Sequence, residues 1–470
     1  MNRPIRGVAV VSLLMTLALM LNLSISYLAN ADYLNGRADN RRVTDARFGQ
    51  DRGPIMVGNT PIAKSSEVKD RYRFQRSYPE GELYAPVTGY YTYFYGASAL
   101  EQSQSAELAG QDSSQFLSRL INLASGTRPK GGTVETTLDA KAQKAAWKAL
   151  AGRKGAVVAL DYTTGAIKAL VTTPSYDPNQ LATHDLNESK KAWDTLNKDP
   201  DKPLNNRATR EIYPPGSTFK LVTTATALEN GMSPSDLLDG TAYKLPGSTK
   251  VIGACGGQLS LADALKRSCN PAFARLGVKV GDQALREQAN KFGFGTTYLP
   301  EIGSAASRFP DELDAAQTAM SAIGEYEVAA SPLQMAMVSA AIANNGVEME
   351  PYLVQRVLDS DLRVVSQAAP KQRSQPISAT TSALMKEMMV GVVEGGTGYR
   401  AKIPGVTVGG KTGTANSDNV RRPYAWFTAW ADNPHVAVCV FVEDAEIASS
   451  EIAGGRVSAP IAKAVIEALR

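Results

Sequence analysis

The chain has 470 residues, 43% of them hydrophobic and 20% charged, a globular composition long enough for two or three domains with a sizeable core. Its 50 Lys and Arg against 46 Asp and Glu leave a formal charge of +4. The bases are interspersed with acids, which gives nucleic-acid binding no footing. Three cysteines (Cys255, Cys269, Cys439) and two histidines (His184, His435) are too few and too scattered for a metal centre of ordinary ligand spacing, and no cofactor is expected.

The amino terminus carries no charge over residues 7–31, and 8–23 is dense in Val, Leu and Met. As a helix, residues 7–28 are about 33 Å long, enough to cross a bilayer. Ala29-Asn30-Ala31 fits the cleavage pattern of a signal peptide, but the apolar run exceeds the roughly 7–15 residues of a signal core. An uncleaved anchor over 1–32 is the expectation. Arg3 and Arg6 precede the run while Arg37, Arg41, Arg42 and Arg47 follow it, so charge bias does not settle orientation. A long downstream domain translocates largely regardless of charge, which favours an extracytoplasmic body. In such an oxidising compartment Cys255 and Cys269, close in sequence, can pair; two small buried side chains are the other reading.

Residues 33–132 carry no catalytic pattern and read as an irregular spacer. Arg52-Gly53-Pro54-Ile55-Met56-Val57 suggests a turn into a strand, and the aromatic run 90–95 between Gly89 and Gly96 is β-prone. Strand packing is the common use of such a run, and a face for a partner or glycan the rarer one. The linker composition of Thr127-Arg128-Pro129-Lys130-Gly131-Gly132 places a boundary there, leaving 133–470 as the third segment. That segment opens on an amphipathic helix over 136–150 and a hairpin of 155–160 with 166–171 around Asp161-Tyr162-Thr163-Thr164-Gly165.

A polar, proline-containing stretch then leads to Tyr213-Pro214-Pro215-Gly216-Ser217-Thr218-Phe219-Lys220. Two prolines and a glycine stop one segment, and a serine and a lysine three apart launch an apolar helix that Gly231 ends. A serine at a helix mouth has N–H groups and the positive end of the dipole beside it. At that spacing an uncharged Lys220 amine lies within reach of the serine proton. His184 lies in a polar loop and His435 follows the turn-like Asp432-Asn433-Pro434, so the base of a Ser217 nucleophile is expected to be a lysine. Further on, 261–276 is helical in character around Ser268-Cys269-Asn270. Strands follow at 406–414, 424–431 and 436–442, and an amphipathic helix at 459–469 closes the chain. Hairpin-like strands with helices before, between and after them imply an α+β fold, an antiparallel sheet covered by helices.

Ser-x-x-Lys alone is a cheap pattern, expected roughly once or twice by accident in such a chain. Ser66-Glu67-Val68-Lys69 is one such accident, without an apolar helix behind it. Ser-x-Asn occurs at Ser268-Cys269-Asn270 and at Ser417-Asp418-Asn419; the latter reads as an ordinary turn. Lys411-Thr412-Gly413-Thr414 is rarer, its first three residues expected in only about a tenth of such chains, and it lies on a predicted strand whose glycine permits close approach.

Ser-x-x-Lys, Ser-x-Asn and Lys-Thr-Gly in the order 217, 268, 411 resemble the motif set of penicillin-binding proteins and β-lactamases. The anchor, the spacer, Pro174-Ser175-Tyr176-Asp177-Pro178-Asn179, residues 213–220 and Gly395-Gly396-Thr397-Gly398 are similar to a monofunctional class B penicillin-binding protein of the penicillin-binding protein A type. The likeness is strong from about residue 134 on and rests on position and character alone in the spacer.

The resemblance implies a penicillin-binding/β-lactamase-like transpeptidase domain behind an N-terminal pedestal, and a serine D,D-transpeptidase that cross-links peptidoglycan stem peptides outside the membrane. It implies Ser217 as nucleophile, Lys220 as base, Ser268 as proton relay, and Asn270 as holder of the peptide amide and of Lys220. The backbone N–H groups of Ser217 and Thr414 would form the oxyanion hole. Lys411 with Thr412, Gly413 and Thr414 would seat the terminal carboxylate, and β-lactam antibiotics would acylate Ser217. Implied partners are stem peptides, the membrane, a separate glycosyltransferase and other wall-synthesis or division proteins. A D,D-carboxypeptidase or β-lactamase of the same fold, and a catalytically dispensable scaffold or β-lactam sensor, are the alternatives. The anchored spacer argues against a secreted β-lactamase, and only about six residues precede the apolar run where a sensor carries its signalling region.

Overall fold

The computed structural model describes residues 3–36, 41–111, 130–415, 423–443 and 454–470. The uncharged run near the start folds as the helix Arg3–Gly36, in which Arg3–Tyr27 is long and apolar enough to cross a membrane. Its Leu13, Leu17 and Leu23 side chains are exposed, as a lipid-facing surface requires. This helix belongs to one compact unit, residues up to 50 together with 67–75. Within that unit the short helix Arg41–Phe48 sets the Phe48 ring edge-on to Tyr72 at 5.2 Å.

Residues 51–66 and 76–470 form the second unit. Strand Ile55–Val57 pairs in parallel with Thr133–Thr136, which pairs antiparallel with Val354–Leu358. The boundary expected after residue 132 therefore falls beside a strand whose sheet partners come from both sides of it. Of the linker-like stretch 127–132, residues 127–129 lie outside the described residues.

The site is carried by a five-stranded sheet in the order Val408–Ala415, Tyr424–Ala431, Val436–Val442, Gly155–Asp161, Ile167–Thr173, antiparallel throughout. Antiparallel sheets commonly leave one face to water and alternate polar with apolar residues. Here both faces are covered. Ala156, Val158, Leu160, Ala437, Cys439 and Phe441 pack into a core that includes the helix Pro332–Ala343. Val157, Ala159, Val438 and Val440 meet the helices Ala140–Leu150 and Gly454–Ala468 through Ala142, Ala146, Ile461 and Val465. The expected antiparallel sheet covered by helices is the one found. Each buried Val or Leu contributes about 1.5–3 kcal/mol relative to exposure, so the edge strand Val408–Ala415 rests on a rigid foundation.

Local differences from expectation have local causes. Residues 136–139 are not helical: Thr133–Thr136 is a strand, and the Asp139 carboxylate accepts from the N–H groups of Lys141 and Ala142 at 2.9 Å, starting the helix at Ala140. The stretch 261–276 is two helices, Leu261–Arg267 and Asn270–Val280, broken where Ser268 takes φ 59°. Pro332–Ala343 is mostly apolar and buried on every face along its length, so it shows no helical period in the sequence.

Candidate active site

The chain reaches Ser217 through Tyr213, whose N–H donates to the Ala330 carbonyl at 3.0 Å while its own carbonyl accepts from the Ala330 N–H at 2.9 Å. After two prolines, Gly216 reverses the backbone at φ 51° and donates its N–H to the Gly324 carbonyl at 3.0 Å. A Cβ at Gly216 would lie 2.7 Å from the Thr414 carbonyl oxygen, so both the torsion and the approach of the edge strand call for glycine. Gly216–Phe219 forms a 3-10 turn that runs straight into the helix Lys220–Glu229. Lys220 is thus the first α-helical residue rather than the second turn of a helix begun at Ser217. The Thr218 hydroxyl donates to the Pro215 carbonyl at 2.7 Å, and the buried Phe219 ring packs against Phe294 and Phe309, both at 5.6 Å.

The Lys220 amine is fully buried. Its Nζ donates to the Ser268 carbonyl at 2.8 Å and to Asn270 Oδ1 at 2.5 Å, and lies 3.3 Å from Ser268 Oγ, above the Phe273 ring. Burial, and then the charge of Lys411, hold its pKa well below the ordinary lysine value, with Glu325 opposing. Among the described residues Nζ makes no hydrogen bond to the Ser217 hydroxyl; apo sites often tighten such contacts only around substrate.

Ser268 presents both its carbonyl and its hydroxyl because it ends one helix in the left-handed region. Asn270 starts the next helix two residues later, with Pro271 behind it. Cys269, the residue between them, is buried and disulfide-bonded to Cys255 with a Cα–Cα separation of 5.6 Å. Cys439 is free and buried in the sheet.

From the edge strand, the fully buried Lys411 Nζ donates to Ser268 Oγ and to the Thr412 carbonyl, both at 2.8 Å. Burial pushes this amine down to about 7. One hydroxyl, that of Ser268, therefore lies between two buried amines, and among the described residues neither amine has an ion-pair partner. A Cβ on Gly413 would lie 2.8 Å from the Pro215 carbonyl oxygen and 2.9 Å from Thr218 Cγ2, so this glycine lets the strand press against the Ser217 turn. Thr414 is exposed, and Thr412 Oγ1 is 2.7 Å from Thr397 Oγ1.

The structure thus assembles Ser217, Lys220, Ser268, Asn270 and the 411–414 strand in one place. It adds Thr397, Phe273 and the Gly324 carbonyl, which sequence reasoning missed as site residues; only Thr397, inside Gly395-Gly396-Thr397-Gly398, had a signal. Ser417-Asp418-Asn419 lies outside the described residues. Ser66 is an exposed residue of the strand Thr60–Glu67. His435 is exposed, with Nδ1 2.7 Å from the Tyr162 hydroxyl, and takes no part.

Such an arrangement can deprotonate a serine hydroxyl with a neutral amine and pass a proton through a second hydroxyl. It can also hold an anion at a cationic amine.

Comparison with known proteins gives the same picture. The penicillin binding protein transpeptidase domain family matches residues 155–467, and the penicillin binding protein A dimerisation domain family matches residues 52–134. The chain is 40% identical over 488 residues to the peptidoglycan D,D-transpeptidase PbpA of Mycolicibacterium smegmatis, covering 100% of this chain and 99% of that protein. The Mycobacterium tuberculosis protein of the same name is 39% identical over 487 residues, with the same coverage. The ceftriaxone acyl-enzyme of penicillin-binding protein A from M. tuberculosis superposes with a TM-score of 0.87 at 40% identity, covering 90% of this chain and 99% of that one. The penicillin G acyl-enzyme gives 0.85 at 40% identity, covering 89% and 99%.

Proposed function

Because this chain belongs to the penicillin-binding protein transpeptidase family, we propose that Ser217 is its acyl-transfer nucleophile and that it works as a peptidoglycan D,D-transpeptidase. The observation that carries this reading is the convergence of two buried amines on the Ser268 hydroxyl beside the Ser217 turn.

In this reading Ser217 Oγ attacks the carbonyl carbon of the terminal D-Ala-D-Ala bond of a stem peptide, and its proton passes to neutral Lys220 Nζ. Burial, and then Lys411, shift the pKa of that amine downward, which favours the neutral form that can act. The negative charge on the tetrahedral oxygen is met by the N–H groups of Ser217 and Thr414, whose backbones the Gly216 approach brings together. Losing one such donor typically costs about 3 kcal/mol. When the C–N bond breaks, Ser268 hands a proton to the departing D-Ala amine and Lys220 replenishes it. Asn270 holds the peptide amide and keeps Lys220 in place. Lys411, with the hydroxyls of Thr412 and Thr414, seats the terminal carboxylate. An acceptor amine then attacks the ester, Ser217 is released and the cross-link forms.

β-Lactams carry a similar carboxylate and a reactive amide, and acylate Ser217 in the same pose; the acyl-enzymes of the M. tuberculosis relative support this. Residues 1–32 anchor the chain in the membrane with the catalytic domain outside, a placement the Cys255–Cys269 bond supports because such bonds persist in oxidising compartments. Residues 33–132 hold that domain off the membrane, and a separate glycosyltransferase supplies the glycan strands. The test is fluorescent-penicillin labelling of the full-length protein, with mass spectrometry of the labelled peptide. Wild type labels at Ser217 and transfers a stem-peptide donor to an amine acceptor; covalent labelling of Ser217→Ala protein would defeat the assignment.

A further inference from the structure

The turn that lies against the nucleophile continues into a carboxylate. Gly324 accepts from the Gly216 N–H at 3.0 Å and takes φ 77°, and a Cβ there would lie 2.1 Å from the Gly216 carbonyl oxygen and 2.8 Å from Phe219 Cβ. Only glycine fits, so this backbone rests directly on the turn that carries Ser217. Glu325 is the next residue. Its N–H donates to the Met320 carbonyl at 3.1 Å, and its carbonyl accepts from the Val328 N–H at 3.4 Å. Two residues before Gly324, the Ala322 carbonyl accepts from the Thr223 hydroxyl, on the helix that Lys220 begins, at 2.7 Å. Residues 320–328 are therefore tied both to the Ser217 turn and to the Lys220 helix.

Glu325 is half-buried, and Tyr326 and Glu327 beside it are exposed, so the residue can be reached from solvent. Its charge is also felt inside the site, where it opposes the lowering of the Lys220 pKa. The second half of the reaction has a need that the residues assigned above do not meet. An acceptor amine of the lysine kind is protonated at neutral pH, and it must come to an ester beside two buried amines. Lys411, when protonated, repels it. A carboxylate fixed next to the nucleophile's turn supplies the opposite charge.

We propose that Glu325 is an acceptor-binding residue of this enzyme, its carboxylate drawing the ammonium group of the acceptor to the acyl-enzyme and so favouring amines over water. The proposal rests on the acyl-transfer role given above to Ser217. Held by Glu325, the ammonium releases one proton to solvent and becomes a free amine. Its nitrogen attacks the ester carbon and a C–N bond forms. Neutral Lys220 takes a second proton from that nitrogen and passes it to the Ser217 oxygen as the C–O bond breaks. The products are an amide, the Ser217 hydroxyl and one proton in water.

The test uses full-length protein in detergent at about pH 8, acylated by a thioester donor of a D-alanyl group, and measures how the acyl-enzyme divides between water and an added amine. Two acceptors are compared: an N-acetylated lysine peptide, whose ε-ammonium is charged at that pH, and hydroxylamine, which is neutral there. Glu325→Gln should lower the ratio of aminolysis to hydrolysis about tenfold for the peptide, through a raised KM for the acceptor, while the hydroxylamine ratio stays within about twofold of wild type. Glu325→Asp should recover part of the loss. In wild type, salt raised to about 0.5 M should lower the peptide ratio about threefold by screening and leave the hydroxylamine ratio unchanged. Falls of equal size with both acceptors overturn the proposal, and so does a wild-type peptide ratio indifferent to salt, even if the variant fails to fold. A Ser217→Ala control separates the two readings. If it turns over the donor above the enzyme-free rate, the acyl-transfer assignment itself has failed, whereas an inert control beside a Glu325→Gln enzyme of unchanged ratios removes only the acceptor site.

Discussion

Two clusters of buried charge can be set side by side. Around Glu101, itself wholly buried, Arg52 donates from Nε at 3.0 Å and Nη2 at 2.8 Å, Arg76 donates from Nε at 2.6 Å, and the Tyr78 hydroxyl donates at 3.1 Å. The second oxygen set is supplied by backbone: Arg52 also reaches the Glu101 carbonyl and Arg76 the Gly53 carbonyl. At Lys220 and Lys411 there are two amines and, among the described residues, only neutral acceptors, the Ser268 and Thr412 carbonyls, the Ser268 hydroxyl and the Asn270 amide oxygen. Burying an ion costs several kcal/mol, and opposite charges with good geometry offset much of that. Glu101 therefore stays ionised: burial alone would raise its pKa, and Arg76 and Arg52 outweigh it. Among the described residues the lysines have no such partner, so the cost appears as lost affinity for a proton. Paired buried charge holds structure; unpaired buried charge yields a base.

The largest expected effect comes from removing the unpaired side. Lys220→Met deletes the proposed base and fills the space with an unbranched apolar chain. Acylation by penicillin should fall about a thousandfold or more, within the range that general bases supply. Stability should change by less than about 2 kcal/mol, because the lost hydrogen bonds are balanced by removing a buried amine. Stopped-flow acylation and calorimetry report the two quantities separately. A rate within tenfold of wild type would move the base elsewhere.

The paired side should respond the other way round. Glu101→Ala leaves two buried guanidinium groups without their counter-charge and should cost about 3–5 kcal/mol of stability, read by denaturant unfolding. Acylation per folded molecule should stay within about twofold. A variant of unchanged stability would mean that the cluster is solvated after all, and a selective loss of acylation would tie the pedestal to the chemistry.

Legibility in the sequence follows the same division. The motifs that meet at the candidate site were readable because each combines particular residue types at short spacing: a glycine where the edge strand meets the Ser217 turn, a serine and a lysine three apart, a Lys-Thr-Gly on a strand. The strands Tyr424–Ala431 and Val436–Val442 were readable as short apolar runs bounded by turn residues. The helix Pro332–Ala343 was not, since a segment buried all round has no period to detect. Nor was the Arg52–Glu101–Arg76 cluster, whose members lie far apart in sequence and look like any surface charges until the fold joins them. Ser66 and Lys69 show the converse, a motif spacing on exposed residues that builds nothing. Thr397 stands in the sequence as one residue of Gly395-Gly396-Thr397-Gly398, and its partner, Thr412, is supplied only by the tertiary structure.

The finest test of the comparison is titration. Lys411 is expected to serve as a cation, yet burial brings its pKa to about 7 in the free protein. Below that value the amine is protonated and attracts the carboxylate of a penicillin. As pH rises through about 7 the free protein loses this proton, and binding of the anion must restore it. Capture should therefore weaken on the alkaline side, by up to tenfold per pH unit while the neutral form predominates. Lys220 is displaced downward, by burial first and then by Lys411, and rising pH only favours its neutral form, so the chemical step itself should not fall. The alkaline loss should appear in the second-order rate constant for anionic penicillins and be absent at saturating concentration. Lys411→Arg, whose guanidinium keeps its proton throughout, should act more slowly but without that alkaline limb. A limb that persists in Lys411→Arg would assign it to another group, and one that appears in the saturated rate would mean that Lys411 donates its proton during the reaction rather than merely holding the substrate.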